Sequence, residues 1–370
     1  MKRRLAMEIA LGLIVVGLVV LAVGLVRGGR ERGLAGFRGP VASVEFLDVG
    51  QGDAILVRSP EGKTALIDAG PSRSVVGLLR ARGVTSLDLV VVSHHHSDHY
   101  GGMAEVIRAF HPRVFVEADS PHATPLYVAL LELVKDQGMT AVRPYSDGPR
   151  KLNLGSVVLT LFPQPPSNEH EENNNSIGIR VDFGGFSALL TGDSEGSERR
   201  WWLRRASGLC SGVQVLKLAH HGSRNGVDRA WLEATRPALA VASLGSGNDF
   251  GHPHPQTLAL LRSEGVPLLR TDLSGTVAIR TDGKTWAVDG PGRVARRAPP
   301  AEDARVRRAE GTVHLNSATE AELRGLPGVG ASWARKIIAG RPYRSVDDLA
   351  AIPHFGRKRV ETLRPFATAR

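Results

Sequence analysis

The sequence predicts an α/β protein, a layered α/β/β/α sandwich with an apolar segment before it and a small helical unit after it. Three observations carry this. Between residues 39 and 290, short β-branched runs alternate with stretches of helical periodicity, and both faces of the strands are apolar. Within that region Ser93-His94-His95-His96-Ser97-Asp98-His99-Tyr100-Gly101-Gly102 follows the apolar run Leu87–Val92 and precedes an amphipathic stretch, Met103–Phe110. The imidazoles therefore sit on a strand-to-helix loop, where α/β sheets place ligand sites. Beyond residue 290 the composition changes to a Pro/Arg/Ala linker and then to short helices broken by Pro-Gly turns.

Length and charge bound the reading. A chain of 370 residues suits two or three domains. The net charge of +10 is uneven: residues 1–38 carry seven basic and two acidic groups, 39–290 twenty-four and twenty-seven, 291–370 sixteen and eight. A basic tail points to a polyanionic partner. The single cysteine, Cys210, excludes an intramolecular disulfide and any Cys-rich zinc motif, so a metal must be held by His and carboxylate.

In residues 1–38, Lys2, Arg3 and Arg4 precede an uncharged run from Ile9 to Val26, which Arg27, Arg30 and Arg32 close. At helical rise such a run covers about 27 Å, just enough for a bilayer core. The expectation is an uncleaved membrane anchor, with a removed signal as the alternative. The chain would be a single-pass cell-membrane protein with its main domain outside the cytoplasm, or secreted if the segment is cleaved. Because both flanks are basic, the positive-inside rule does not fix the orientation.

Residues 39–290 form the main domain. Three strands are predicted in 41–70, punctuated by Gly-rich turns, with Asp48, Asp53 and Asp68 at strand ends. Val75–Arg82 reads as a helix and Leu87–Val92 as the strand before the imidazoles. Strands follow at Arg113–Val116 and Ser156–Pro163, with a helix at Pro125–Gln137 between them. Ile177–Phe183 and Phe186–Thr191 form a hairpin about Gly184-Gly185 and end in Gly192-Asp193. A helix at Glu195–Leu203 leads to the strand Val213–Ala219, which ends in His220-His221-Gly222-Ser223. A helix (Arg229–Thr235), a strand (Ala238–Ser243), the loop Gly251-His252-Pro253-His254-Pro255, a helix (Gln256–Gly265) and two strands close the domain.

Residues 291–312 are a linker. From 313 to 370 the chain reads as two helix–turn–helix units repeating at about thirty residues. Ser317-Ala318-Thr319-Glu320 reads as a capping box, Leu326-Pro327-Gly328-Val329-Gly330 as one turn and Ile352-Pro353-His354-Phe355-Gly356 as the other.

Three strand ends thus offer ligands: His94, His96, Asp98 and His99; then Asp193; then His220 or His221. Asp98 reaches the ion of His94 and His96 poorly from one short loop, so the spacing favours two divalent ions a few ångströms apart with Asp193 between them. Such a pair holds a hydroxide of lowered pKa and clamps a phosphoryl or carbonyl oxygen, so no side chain need attack. Asp98 and Asp193 are the carboxylates expected to serve that chemistry.

These motifs resemble the metallo-β-lactamase superfamily. More narrowly, Leu47-Asp48-Val49-Gly50-Gln51-Gly52-Asp53-Ala54, Leu190-Thr191-Gly192-Asp193, Leu216–Ser223 and Gly251-His252-Pro253-His254 resemble the ComEC-type hydrolase domain of DNA uptake. The tail is similar to the helix-hairpin-helix domain of the ComEA-type DNA receptor. The resemblance implies a four-layer sandwich with His94 and His96 on a first ion, Asp98, His99 and His220 (or His221) on a second, and Asp193 bridging. It implies that Asp48 and Asp68 orient ligand imidazoles from behind. Members of the wider superfamily add an isolated His to the first site; here that region holds Asn173, Asn174 and Ser176, so manganese stands beside zinc as a candidate metal. His111, His122 and His170 are the other candidates for that third imidazole. His252 and His254 would border the mouth of the site.

In the tail, Gly328, Gly330 and Gly356 allow tight turns into helix N-termini whose N–H groups can hold phosphate, assisted by Arg335, Lys336, Arg357 and Lys358. Such contacts carry no sequence code. The function expected is a membrane-anchored, metal-dependent nuclease cleaving DNA phosphodiesters through a metal-bound hydroxide, with a tail that grips DNA, working with other DNA-uptake proteins. The alternatives are a hydrolase of a small phosphodiester or other substrate, and an inactive DNA receptor.

Overall fold

A computed structural model describes residues 37, 39–121, 124–167, 171–289 and, apart from 325, 327, 328, 354 and 365, residues 313–369. The apolar run at 9–26 lies outside them, as do His122, His170 and Gly328. Among the described residues no helix is long and apolar enough to cross a membrane.

The first half builds β1 (Ala42–Phe46), β2 (Ile55–Arg58), β3 (Thr64–Ile67), α1 (Ser74–Ala81), β4 (Leu89–Val92), α2 (Met103–Phe110), β5 (Val114–Glu117), α3 (Pro125–Asp136) and β6 (Thr140–Val142). The second half builds β7 (Arg150–Leu154), β8 (Val157–Leu161), β9 (Ile179–Phe183), β10 (Phe186–Leu190), α4 (Gly196–Arg205), β11 (Val215–Lys217), α5 (Arg229–Thr235), β12 (Leu239–Ala242), α6 (Pro255–Ser263) and β13 (Leu268–Arg270). Then β14 (Val277–Thr281) and β15 (Trp286–Asp289) return to the first sheet. The sheets run β15-β14-β1-β2-β3-β4-β5-β6 and β13-β12-β11-β10-β9-β8-β7.

Period-two alternation explains the layering. Along β4, Leu89 and Val91 enter the core between the sheets while Val90 and Val92 enter the core beneath α1, α2 and α3. In β10, Ala188 and Leu190 face the other sheet, and Leu189 packs with Trp202 of α4 and Trp231 of α5. Each central strand is apolar on both faces because each face is covered, which is the condition under which parallel strands occur. β3, β4, β5 and β6 pair in parallel in one sheet, and β10, β11, β12 and β13 in the other. Their C-terminal ends carry the loops of the site.

In these two sheets three strands show no signal in the sequence: β6, β7 and β15. β6 and β15 are the edges of one sheet and β7 an edge of the other. Edge strands with one neighbour need no continuous apolar run, and β7 (Arg-Lys-Leu-Asn-Leu) shows none.

The tail has its own core around Leu323, Trp333, Ile337, Leu349 and Leu363. Its elements are β16 (Val313–His314), α7 (Glu320–Arg324), α8 (Ala331–Ala339), a 3₁₀ turn (Val346–Ala351), α9 (Arg357–Leu363) and β17 (Ala367–Thr368), with β16 and β17 paired in parallel. The capping box falls two residues later than expected. Thr319 Oγ1 accepts from Glu322 N at 3.3 Å, and Glu322 Oε2 accepts from Thr319 N at 2.7 Å. The third predicted helix is the 3₁₀ turn, capped by Ser345 and Asp348.

Candidate metal centre

The loop after β4 enters the site through a carboxylate below it. Asp68 stands just past β3 in a left-handed conformation (φ 59°), which aspartate tolerates better than most residues. Its carboxylate accepts from Ser93 N and Ser93 Oγ, each at 2.7 Å, and lies 2.8 Å from His99 Nδ1. His99 is thereby held with Nδ1 toward Asp68 and Nε2 toward the site. The Gly-Gln-Gly-Asp turn lies against the same loop: a Cβ on Gly52 would collide with the Asp98 carbonyl oxygen, and Asp53 N donates to that oxygen at 3.2 Å.

The loop after β10 brings Asp193. Gly192 (φ 50°) packs so closely that a Cβ there would touch Ser176 Oγ and Ser93 Oγ at 2.9 Å. Ser176 Oγ accepts from Asp193 N at 3.1 Å. The loop after β11 brings the paired histidines, both left-handed (φ 49° and 54°). His221 Nδ1 donates to the Ser243 carbonyl at 2.8 Å, which turns its Nε2 inward.

Asp98, His99, Asp193 and His221 offer one ligand atom each within 4.8 Å of one another. His99 Nε2 lies 3.3 Å from Asp193 Oδ1; His221 Nε2 lies 3.4 Å from Asp193 Oδ2 and 3.3 Å from Asp98 Oδ2. Both Nε2 atoms are buried without a hydrogen-bond partner, a costly condition that a bound cation relieves. Nitrogen and carboxylate oxygen in this number are a zinc or manganese donor set, so the residues fit a divalent ion. His94 Nε2 and His96 Nδ1 converge at 3.1 Å, and the His94 ring lies 4.1 Å from that of His99. This pair sits beside the four-residue group, outside its 4.8 Å span.

The charges reinforce the geometry. Burial opposes ionisation of Asp193, but His221, His99 and Lys217 outweigh it and hold its carboxyl well below the usual range. Burial likewise opposes charge on His221, and Asp193 and Asp98 raise it to about 9. His99 moves well above the ordinary histidine value because Asp193 and Asp68 prevail over burial. Burial dominates at His94 and drives its pKa well down.

The structure places the other expected residues, some of them differently. Of the adjacent histidines, His221 joins the group. His220, 27% exposed at its side chain, turns Nδ1 to Glu195 Oε1 at 3.2 Å and leaves Nε2 3.9 Å from Asp193. Asp48 does not back the site: it is exposed, and among the described residues its carboxylate accepts from the local Gly50 N–H at 3.3 Å. Asp53 holds that position instead. Asn174 is a scaffold whose Oδ1 accepts from Glu195 N and Glu198 N at 3.2 and 3.3 Å, while Asn173 Nδ2 reaches Glu195 and His220. His254 caps α6, accepting from Gln256 N at 3.3 Å. His252 lies at the mouth, 5.5 Å ring to ring from His220, and burial with its two histidine neighbours lowers it to about 4. His111 ends α2 in a left-handed turn. His95 turns away and stacks on Tyr127 at 3.7 Å.

Sequence reasoning missed Lys217. Its Nζ donates to Gly192 O at 2.7 Å, lies 3.5 Å from Asp193 Oδ1 and pairs with Asp53. A lysine inside the fully buried strand Val215–Lys217 was the available signal.

In the tail, Lys336 Nζ lies 4.3 Å from the Trp333 ring centre, and the Arg359 guanidinium covers Trp333 at 4.6 Å and Phe355 at 5.3 Å. Gly330 and Gly356 precede α8 and α9, Gly356 with φ 77°. Arg335 and Lys336 are exposed. The side chains of Arg357 and Lys358 lie outside the described residues.

A two-sheet α/β sandwich with an Asp/His cluster at its strand ends defines the metallo-beta-lactamase superfamily, whose model matches residues 47–245; the chain belongs to that superfamily. A helix-hairpin-helix motif matches residues 308–368. Over 264 residues the chain is 27% identical to ComE operon protein 3 of Bacillus subtilis, covering 64% of this chain and 33% of that protein. It is 32% identical over 241 residues to Competence protein ComA of Neisseria gonorrhoeae, covering 64% and 32%. It is 27% identical over 248 residues to Recombination protein 2 of Haemophilus influenzae, covering 65% and 29%. The chain thus spans about a third of the length of the curated relatives it matches.

Proposed function

We propose that this protein is a metal-dependent hydrolase that cleaves DNA phosphodiesters, with a tail that holds DNA without sequence preference, in a DNA-uptake system. The observation that carries this reading is the Asp98–His99–Asp193–His221 group in a chain that also bears a helix-hairpin-helix motif. Asp98, His99, Asp193 and His221 would hold one divalent ion, and His94 and His96 a second beside it. A bound ion supplies Lewis acidity toward a phosphoryl oxygen and lowers the pKa of water. The chain's own part is orientation. Asp68 and Ser243 fix the two imidazoles, Ser176 fixes Asp193, and Lys217 balances the buried carboxylates of Asp53 and Asp193. The tail raises the local concentration of DNA by tethering. The apolar run at 9–26 would anchor the chain to the cell membrane with the hydrolase domain outside the cytoplasm.

The test is digestion of plasmid and linear DNA by the full chain with manganese, magnesium or zinc, beside Asp193→Ala. Cleavage by the wild type alone is expected. Failure with every metal, while metal still binds, overturns the nuclease assignment. A second reading, an inactive DNA receptor, draws on the position of His94 and His96 outside the compact group. Less than about one ion per chain would favour it.

A further inference from the structure

The loop from Gly245 to Pro253 presents an aromatic side chain that the hydrolytic chemistry does not use. Phe250 is 67% exposed. Its ring stacks on His252, with centres 5.7 Å apart and planes 26° apart. His252 in turn stacks on His221, at 6.4 Å and 28°. Three rings therefore make a chain of successive contacts that begins at a metal-ligating imidazole and ends on an exposed phenyl.

The row is built into the loop. The Asn248 side chain clamps His252 from both sides: Oδ1 accepts from His252 N at 2.9 Å, and Nδ2 donates to His252 O at 2.8 Å. His254 N donates to Gly222 O at 2.8 Å, tying the loop to the His220–His221 turn, and Pro253 packs where a Cβ on Gly222 would sit, at 2.9 Å. A loop backbone held this way keeps His252, against which the Phe250 ring packs, in a fixed place, so little loop ordering is left for binding to cost.

Resting on the nuclease reading, we propose that Phe250 is a stacking platform for an unpaired nucleobase, one whose neighbouring phosphate lies at the metal centre. Position selects this occupant. A base whose phosphate is anchored beside His221 can lie within two ring spacings of it, where Phe250 offers an exposed ring that touches His252. Every base has a flat face, so stacking gives affinity without sequence preference. Bases in a closed duplex are not available to it, so the substrate class is single-stranded or frayed DNA.

The experiment compares kcat/KM of the full chain with manganese on a single-stranded oligonucleotide and on the duplex of the same sequence, for wild type, Phe250→Ala and Phe250→Trp. Phe250→Ala is expected to lose about 5- to 150-fold on the single strand, to change less than about twofold on the duplex, and to be restored by Phe250→Trp. Equal losses on both substrates, or no loss, overturn the platform and leave the nuclease assignment standing. If the wild type cleaves no DNA, that assignment falls, and the platform is decided by binding. The wild-type chain with magnesium should then quench a 2-aminopurine oligonucleotide, and Phe250→Ala should abolish the quenching; no quenching by the wild type, or quenching that persists in the variant, overturns it.

Discussion

His99 Nδ1 lies 2.8 Å from Asp68 Oδ2, both side chains are buried, and the other oxygen of that carboxylate accepts from Ser93 N at 2.7 Å. One carboxylate thus sets both the start of the imidazole loop and the orientation of its last ligand. Asp68→Asn keeps the shape and removes the charge. Metal affinity should fall about 10- to 100-fold by calorimetric titration, with the fold unchanged by circular dichroism.

His220 and His221 are neighbours with opposite duties. His221→Ala should remove one equivalent of metal by elemental analysis, because its Nε2 lies within 3.4 Å of both Asp98 and Asp193. His220→Ala should leave that equivalent bound, since its nearest carboxylate partner is Glu195.

Lys217 is buried between Asp53 and Asp193. Lys217→Met leaves two carboxylates without their cation, and breaking a buried pair from one side costs about 3–5 kcal/mol. The metal-free variant should melt well below the wild type. Added divalent metal should narrow the gap, because the ion supplies the missing positive charge. An unchanged melting temperature without metal would contradict this role.

Glu198 gives a pH dependence from a residue that is not itself in the ligand group. It is buried in α4, neither carboxyl oxygen has a partner of ordinary hydrogen-bond geometry, and burial pushes its pKa well above the usual carboxylate value. The folded protein then binds a proton that the unfolded chain has released, so stability falls as pH rises from the unfolded value, near 4.5, through the folded one. Glu198→Gln should abolish that slope. By thermal melts the variant should match the wild type near pH 4 and exceed it increasingly toward neutral pH.

In the tail, Lys336 is exposed on α8 and rests on Trp333. If it meets phosphate, Lys336→Ala weakens binding alike for unrelated DNA sequences and lowers the salt slope of log K by about one. A sequence-dependent loss would show base contact instead.

The strand ends that carry the site were legible because their neighbours are. Leu89–Val92 and Phe186–Leu190 are buried on both faces, so their apolar runs end where the chain leaves the sheet, at His94 and at Asp193. The edge strand Arg150–Leu154 was illegible for the converse reason, since its exposed face imposes no pattern.

The amino-acid order alone indicated which loops carry the site, because periodicity and chain connectivity mark where strands end and loops begin. It left open which of two adjacent histidines turns inward, and the resemblance put Asp48, with Asp68, behind the ligands where Asp53 stands. Those choices belong to the folded molecule. Left-handed φ values at His220 and His221, the Ser243 carbonyl that takes the His221 proton, and the close approach at Gly52 that brings Asp53 under Asp98 arise only when distant segments pack together. Side-chain direction at a turn is decided by such contacts, and no local pattern encodes them.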